Sequence, residues 1–212
     1  MAFGRKNILL LSVCILKILG FGDSLTAGTP GYEPGYGGDV RSQYGFWLLE
    51  SARKEGITTL QFHNQGIPGE LARMMPRRLS RLLDVNDYDI VIIMAGTNDI
   101  GWGFAPVDVY DSLVKIWDQS TSREITTIAC SIPPIGMKVP HHQMMQKELN
   151  QRILHEGCNL PHILVADVFS ALADENSLLQ PSFDSGDGLH LSVEGYRVIG
   201  EFLWKDVIKN ME

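Results

Sequence analysis

Residues 15–28 read Ile-Leu-Lys-Ile-Leu-Gly-Phe-Gly-Asp-Ser-Leu-Thr-Ala-Gly. An apolar run of strand length breaks at Gly22 into a short polar, glycine-bounded segment, GDSLTAG. A near-continuous apolar strand is buried on both faces, which is the habit of parallel sheets. The turn that follows then carries a serine, Ser24, to the carboxyl end of that strand. In open α/β sheets this is the rim where ligands bind.

The same pattern recurs along the chain. Further strands are expected at Ile57–Asn64, Tyr88–Ala95, Ile125–Ile132 and His162–Val168. Helical spacing alternates with them at Tyr44–Glu55, Glu70–Leu83, Pro106–Thr121, His142–Glu156 and Ser192–Asn210. Pro106 suits the first turn of its helix, where a missing N–H is not needed. Five strand–helix alternations imply right-handed crossovers and a three-layer α/β/α sandwich around a five-stranded parallel sheet. No repeat, low-complexity tract or long linker divides the 212 residues, so one domain over 1–212 is expected.

The strand ends share one rim. GDSLTAG follows the first strand, NQGIPG the second and GTND the third, and DGLH precedes the last helix. A serine hydroxyl is a weak nucleophile and needs a base, a group that orients the base, and donors for an oxyanion. His190 in DGLH is the candidate base. Asp187, three residues earlier, can reach its imidazole through one curled turn. The Ser24 N–H, the Gly66 N–H and the Asn98 side-chain amide, from three strand ends, are the candidate oxyanion donors.

Taken singly, Gly22, Gly66 and Gly96 read as turn residues; the register with Ser24 and Asn98 is what singles out Gly66. Asp23 and Asp99 are expected to brace turns through local hydrogen bonds. Ser192 is the better N-cap candidate for the last helix, which leaves Asp187 free for His190. There is no GxSxG elbow, and this argues against the ordinary α/β-hydrolase fold.

These four blocks, in this order, resemble the SGNH (GDSL) hydrolase family of esterase- and lipase-like serine hydrolases. The match runs from Gly22–Gly28 through Gly66 and Asn98 to Asp187 and His190. The resemblance implies a flavodoxin-like sheet and two-step ester hydrolysis through an acyl-Ser24 intermediate, with no metal and no other cofactor. It leaves the substrate open between lipid-like or short-to-medium acyl esters and acetylated sugars. A catalytically silent flavodoxin-like binding module is the alternative from another class. The glycine-rich loop after Ser24 lacks both GxGxxG and a GK[ST] P-loop, so nucleotide binding has little support.

Composition narrows the partners. The formal net charge is −7 and 20% of residues are charged, so no basic footprint for a nucleic acid is present. Cys14, Cys130 and Cys158 form no CxxC pair and read as small buried hydrophobes. His63, His141, His142, His155 and His162 show no metal-ligand spacing, and His63 reads as structural. The loops that should line the pocket carry Tyr32, Tyr36, Tyr44, Phe104, Ile135 and Met137. Trp102, flanked by two glycines in GWGF, is the candidate substrate contact.

The N-terminus is ambiguous. Arg5 and Lys6 precede the apolar stretch Ile8–Leu16, the outline of a short signal peptide, but that stretch runs directly into the segment carrying Ser24. A cytoplasmic location is therefore favoured, with export possible. No segment is apolar and long enough to span a bilayer stably. The oligomeric state is left open.

Overall fold

A computed structural model describes residues 15–211. Cys14 and the signal-like stretch as far as residue 14 lie outside it, while the last residue of that stretch, Leu16, opens the first strand. The elements are β1 (Leu16–Gly22), α1 (Ser24–Ala27), β2 (Tyr32–Glu33), β3 (Gly37–Gly38), α2 (Tyr44–Lys54), β4 (Leu60–Gly66), α3 (Met75–Val85), β5 (Ile90–Met94), α4 (Thr97–Gly101), α5 (Pro106–Thr121), β6 (Thr126–Cys130), α6 (Pro140–Gly157), β7 (Ile163–Ala166), α7 (Val168–Leu172) and α8 (Val193–Phe202).

Five strands form one parallel sheet in the order β4-β1-β5-β6-β7, and β2 pairs with β3 in a small antiparallel ribbon. Counting only the strands of the large sheet, this is the flavodoxin-like order 2-1-3-4-5, with the direction of winding reversing between β1 and β5. Ser24 leaves the sheet at that switch point. The segments carrying Gly66 and Asn98 flank it, because β1 pairs with β4 on one side and β5 on the other.

The central strands are readable because both faces are covered. All five residues of β5, Ile-Val-Ile-Ile-Met, are buried. Val91 and Ile93 pack with Leu79 of α3, Trp117 of α5 and Ile153 of α6. Ile90, Ile92 and Met94 face the other way, onto Leu48 of α2, Leu172 of α7 and Ile199 of α8. This period of two divides the core into two layers about the sheet.

Three boundaries depart by three residues or more from the sequence expectation. β4 starts at Leu60 because Ile57 is still tied to the end of α2, its N–H donating to the Ala52 carbonyl. The helix expected from Glu70 begins as a 3-10 turn at Ala72–Met74 and becomes α-helical only at Met75, next to Pro76. Glu70 and Leu71 are instead drawn into the rim. The last helix keeps α geometry to Phe202 and then widens to a π turn over Leu203–Val207, followed by a 3-10 turn over Ile208–Asn210.

Candidate active site

β1 ends at Gly22, and Asp23 takes a non-helical conformation that caps α1, its Oδ1 accepting the Leu25 N–H at 3.0 Å. Ser24 is therefore the first helical residue, and its N–H has no intrahelical acceptor. Its side chain points to a loop 166 positions away in sequence: the Ser24 Oγ lies 3.0 Å from His190 Nε2. His190 Nδ1 lies 2.6 Å from Asp187 Oδ2. Ser24, His190 and Asp187 thus form one hydrogen-bonded chain from the switch point of the sheet to the DGLH loop.

That loop is held in shape by its own acceptors. Asp187 Oδ1 accepts the N–H of Leu189 at 2.9 Å and of His190 at 2.7 Å. Asp184 Oδ1 accepts the N–H of Gly186 and of Gly188, and the Gly188 carbonyl accepts the Gly136 N–H at 2.8 Å. Ser192 caps α8 as expected, accepting the Gly195 N–H. Partial burial pushes the Asp187 carboxyl up, but the N–H groups of His190 and Leu189 and the imidazole outweigh it, and the group rests at about 2. Asp187 is accordingly an anion wherever the imidazole is in use.

On the other side of Ser24, Asn98 lies in α4, immediately after β5. One hydrogen of its amide goes to the Glu70 carbonyl at 3.1 Å, which leaves the second for another acceptor. Gly66 does not keep the role read from the sequence. Its N–H is already donated to Asn64 Oδ1 at 2.9 Å, and Asn64 in turn donates to the Thr26 carbonyl. What Gly66 supplies is space: a Cβ there would sit 2.1 Å from the Ala27 nitrogen, inside the turn that carries Ser24.

The available donor in NQGIPG is three residues on. Ile67–Glu70 is a turn closed by Glu70 N–H to the Ile67 carbonyl, with Pro68 second and Gly69 third at φ +77°, the arrangement of a type II turn. Among the described residues the Gly69 N–H meets no acceptor. Gly69 is also joined by its peptide bond to Glu70, whose carbonyl anchors Asn98. The Pro-Gly pair was the signal that could have located it.

The two neighbouring aspartates serve as braces, as expected, although one does so over a distance. Asp99 Oδ2 accepts the Ala72 N–H, 27 positions away, and so ties α4 to the Glu70 segment. Burial raises its carboxyl, opposed by the Ala72 N–H. Asp23 is almost wholly buried and its Oδ2 has no partner among the described residues. Burial, reinforced by the carboxylates of Asp99 and Glu70 and opposed by the Leu25 N–H, pushes it up to about 7.

The aromatic rim separates into two groups. Trp102 is 79% exposed and Tyr36, at the tip of the β2–β3 ribbon, is 92% exposed. Met137 is also exposed, beside Gly188. Tyr44 and Ile135, by contrast, belong to the interior; Tyr44 packs edge-on against Phe62 with ring centroids 5.5 Å apart. Phe104 is half-buried beneath the Arg73 guanidinium. Cys130 is buried, with its thiol pushed up to about 12 by burial, whereas Cys158 is exposed near the end of α6 and does not fit the expectation of a buried cysteine. His63 is structural, its Nδ1 3.1 Å from the Tyr88 hydroxyl. Among the described residues no group of three or more His, Cys, Asp or Glu is placed to hold a metal ion, and no helix is long and apolar enough to cross a membrane.

Comparison with known proteins agrees with this fold. An arylesterase from Vibrio mimicus is 24% identical over 211 residues, covering 92% of this chain and 90% of that protein. Among solved structures, a member of the lipolytic protein G-D-S-L family from Veillonella parvula superposes with a TM-score of 0.72 at 24% identity, covering 92% of this chain and all of that one (100%). A carbohydrate esterase of family 3 from Talaromyces cellulolyticus gives 0.72 at 16% identity, over 92% of this chain and 97% of its own. Residues 21–198, which contain Ser24, Asn98, Asp187 and His190, match the GDSL-like lipase/acylhydrolase family, and the chain belongs to that family of carboxylic ester hydrolases.

Proposed function

We propose that the protein hydrolyses carboxylic esters of short to medium acyl chains through an acyl intermediate on Ser24. The observation that carries this reading is the hydrogen-bonded chain Ser24 Oγ–His190 Nε2 at 3.0 Å and His190 Nδ1–Asp187 Oδ2 at 2.6 Å.

Ser24 Oγ attacks the ester carbonyl carbon as its proton passes to His190 Nε2, and the carbonyl oxygen becomes an oxyanion. Asp187 holds the ring so that Nε2 faces Ser24 and stabilises the imidazolium that forms. The oxyanion is met by the Ser24 N–H, the Gly69 N–H and the free Asn98 amide hydrogen, donors set in place before the charge develops. Collapse expels the alcohol, which takes the proton from His190. Water then attacks the acyl carbon, giving a proton to the same nitrogen, and Ser24 recovers it as the acid departs. No step calls for a metal or cofactor.

Substrate size follows from the rim. Trp102 and Met137 are exposed apolar side chains on the segments that follow β5 and β6, an open surface that suits a modest acyl group better than a long one. A second reading, removal of acetyl groups from sugars, is favoured by the exposed rings of Tyr36 and Trp102, since flat aromatic faces stack on pyranose rings. A p-nitrophenyl ester series from acetate to decanoate, run beside an acetylated sugar, separates the two. Highest kcat/KM between two and eight acyl carbons supports the first reading. Turnover confined to acetyl groups on sugars supports the second, and no Ser24-dependent turnover of any ester contradicts both.

A further inference from the structure

We propose that Arg78 is a positioning residue for ester hydrolysis, a clamp that holds the strand ends bearing the oxyanion donors in register. The inference rests on the catalytic reading of Ser24 given above. Arg78 lies on α3 yet turns under the rim, its side chain only 19% exposed. Its guanidinium makes four hydrogen bonds: Nη1 to the Gln65 carbonyl at 2.8 Å, Nη2 to the Gly22 carbonyl at 3.3 Å, and Nε and Nη2 to the two oxygens of the Glu70 carboxylate. The plane rests on the Phe21 ring, 3.9 Å from its centroid.

Each of these partners lies on a segment that carries a donor. Gly22 lies two residues before Ser24, at the end of β1. Gln65 lies near the end of β4, where the chain enters the Ile67–Glu70 turn. Glu70 follows Gly69, and its carbonyl receives the Asn98 amide. One planar group therefore joins the two segments that supply the Ser24 N–H and the Gly69 N–H, and the second of these anchors the Asn98 amide through the Glu70 carbonyl. Only a forked guanidinium can do this, because an ammonium radiates its donors from a single point.

The charge matters as well as the shape. The Glu70 side chain is 9% exposed, and its carboxylate contributes to raising the buried Asp23 carboxyl beside Ser24. Without Arg78 that carboxylate would be a buried, uncompensated anion, and such a group is strongly driven toward water. Its escape would carry Gly69 and the Asn98 anchor outward. A buried ion pair is weak evidence of stability for its own sake, whereas a displacement on the order of 1 Å at reacting groups costs roughly a hundredfold in rate.

The test compares Arg78→Lys and Arg78→Met with wild type and Ser24→Ala on p-nitrophenyl butyrate, with the folded fraction of each measured by thermal melting. Arg78→Met keeps an apolar stem on Phe21 and loses the charge; Arg78→Lys keeps the charge and loses the fork. The expected result is a fall in kcat of about tenfold to a hundredfold per folded molecule in both, with KM within about threefold of wild type. In a third variant, Arg78→Ala, which leaves room for the group, millimolar guanidinium should restore part of the lost kcat. A kcat that stays at the wild-type value per folded molecule, or a loss confined to KM, overturns the proposal. Turnover that survives in Ser24→Ala overturns the catalytic reading and this inference with it, whereas Ser24-dependent turnover indifferent to Arg78 overturns this inference alone.

Discussion

Asp187 holds His190 by two edges at once: Oδ2 lies 2.6 Å from the ring Nδ1, and Oδ1 accepts the backbone N–H of the same residue at 2.7 Å. The carboxylate therefore sets both the ring and the loop that presents it. Replacing it by alanine and by asparagine should give different results. In Asp187→Ala, water can enter at the half-exposed side chain (47%) and orient the ring in part. In Asp187→Asn, the amide can present an N–H to Nδ1 and impose the unproductive tautomer, a fault worth about 10⁴ in kcat in a comparable triad. The expected order of kcat is wild type, Asp187→Ala, then Asp187→Asn close to His190→Ala. Steady-state kinetics on one activated ester checks it, and an Asp187→Asn enzyme faster than Asp187→Ala would contradict it.

Asn98→Ala removes one oxyanion donor, and kcat should drop by about a hundredfold to a thousandfold with KM little changed. Unchanged kcat would remove Asn98 from the site.

The two glycines of NQGIPG should respond differently to alanine. At Gly69 a Cβ meets nothing within 4 Å and the N–H is retained, so the cost is the left-handed backbone alone, about 1–2 kcal/mol of stability. At Gly66 the Cβ collides with the backbone of α1, so Gly66→Ala should lose more stability and nearly all activity. Urea midpoints and kcat of the two variants decide the matter; a Gly69→Ala protein less stable than Gly66→Ala would contradict this account of the turn.

Asp23 and Asp187 give stability opposite slopes with pH. Asp187 sits at about 2, below the ordinary 3.8, so its contribution is present above 3.8 and fades as pH falls through 2. Asp23 sits at about 7, above 3.8, so folding retains its proton where the unfolded chain releases it. Its contribution is full below 3.8 and is lost as pH rises toward 7. Asp23→Asn keeps an oxygen for the Leu25 N–H and has no proton to lose. The stability of wild type relative to Asp23→Asn should therefore decline from pH 4 to pH 7 and then level off. A difference independent of pH would show that Asp23 titrates normally.

Trp102 is exposed enough to be lost without harm to the fold. Trp102→Ala should leave the melting temperature unchanged and raise KM for aryl esters by about fivefold, the equivalent of roughly 1 kcal/mol of contact. An unaltered KM would place substrate elsewhere on the rim.

The sheet and the triad were legible in the sequence for a physical reason. Strands such as Ile90–Met94 are buried on both faces and therefore apolar throughout, and the switch point places their polar continuations on one rim. Finer features depended on contacts between distant segments. Gly66 and Gly69 both follow the second strand, and although the Pro-Gly pair marks a turn at Gly69, it takes the Asn64 side chain, which occupies the Gly66 N–H, to rule out the first. Asp99 reads as a local brace, and its acceptor role at Ala72 emerges only when α4 meets the Glu70 segment. Arg78 gives no signal at all in Met-Met-Pro-Arg-Arg-Leu-Ser-Arg, where basic residues read as the solvated face of an amphipathic helix. Tyr44 opens α2 where a helix is expected, but its ring, read as lining the rim, lies in the core.

The central claim is that Ser24 is the nucleophile, activated by His190. The most direct measurement is labelling by a fluorophosphonate probe, with the modified residue located by peptide mass spectrometry. The account predicts stoichiometric modification of Ser24 in wild type, greatly slowed modification in His190→Ala and none in Ser24→Ala. A wild-type protein left unmodified at Ser24, or a Ser24→Ala protein modified as readily, would contradict it.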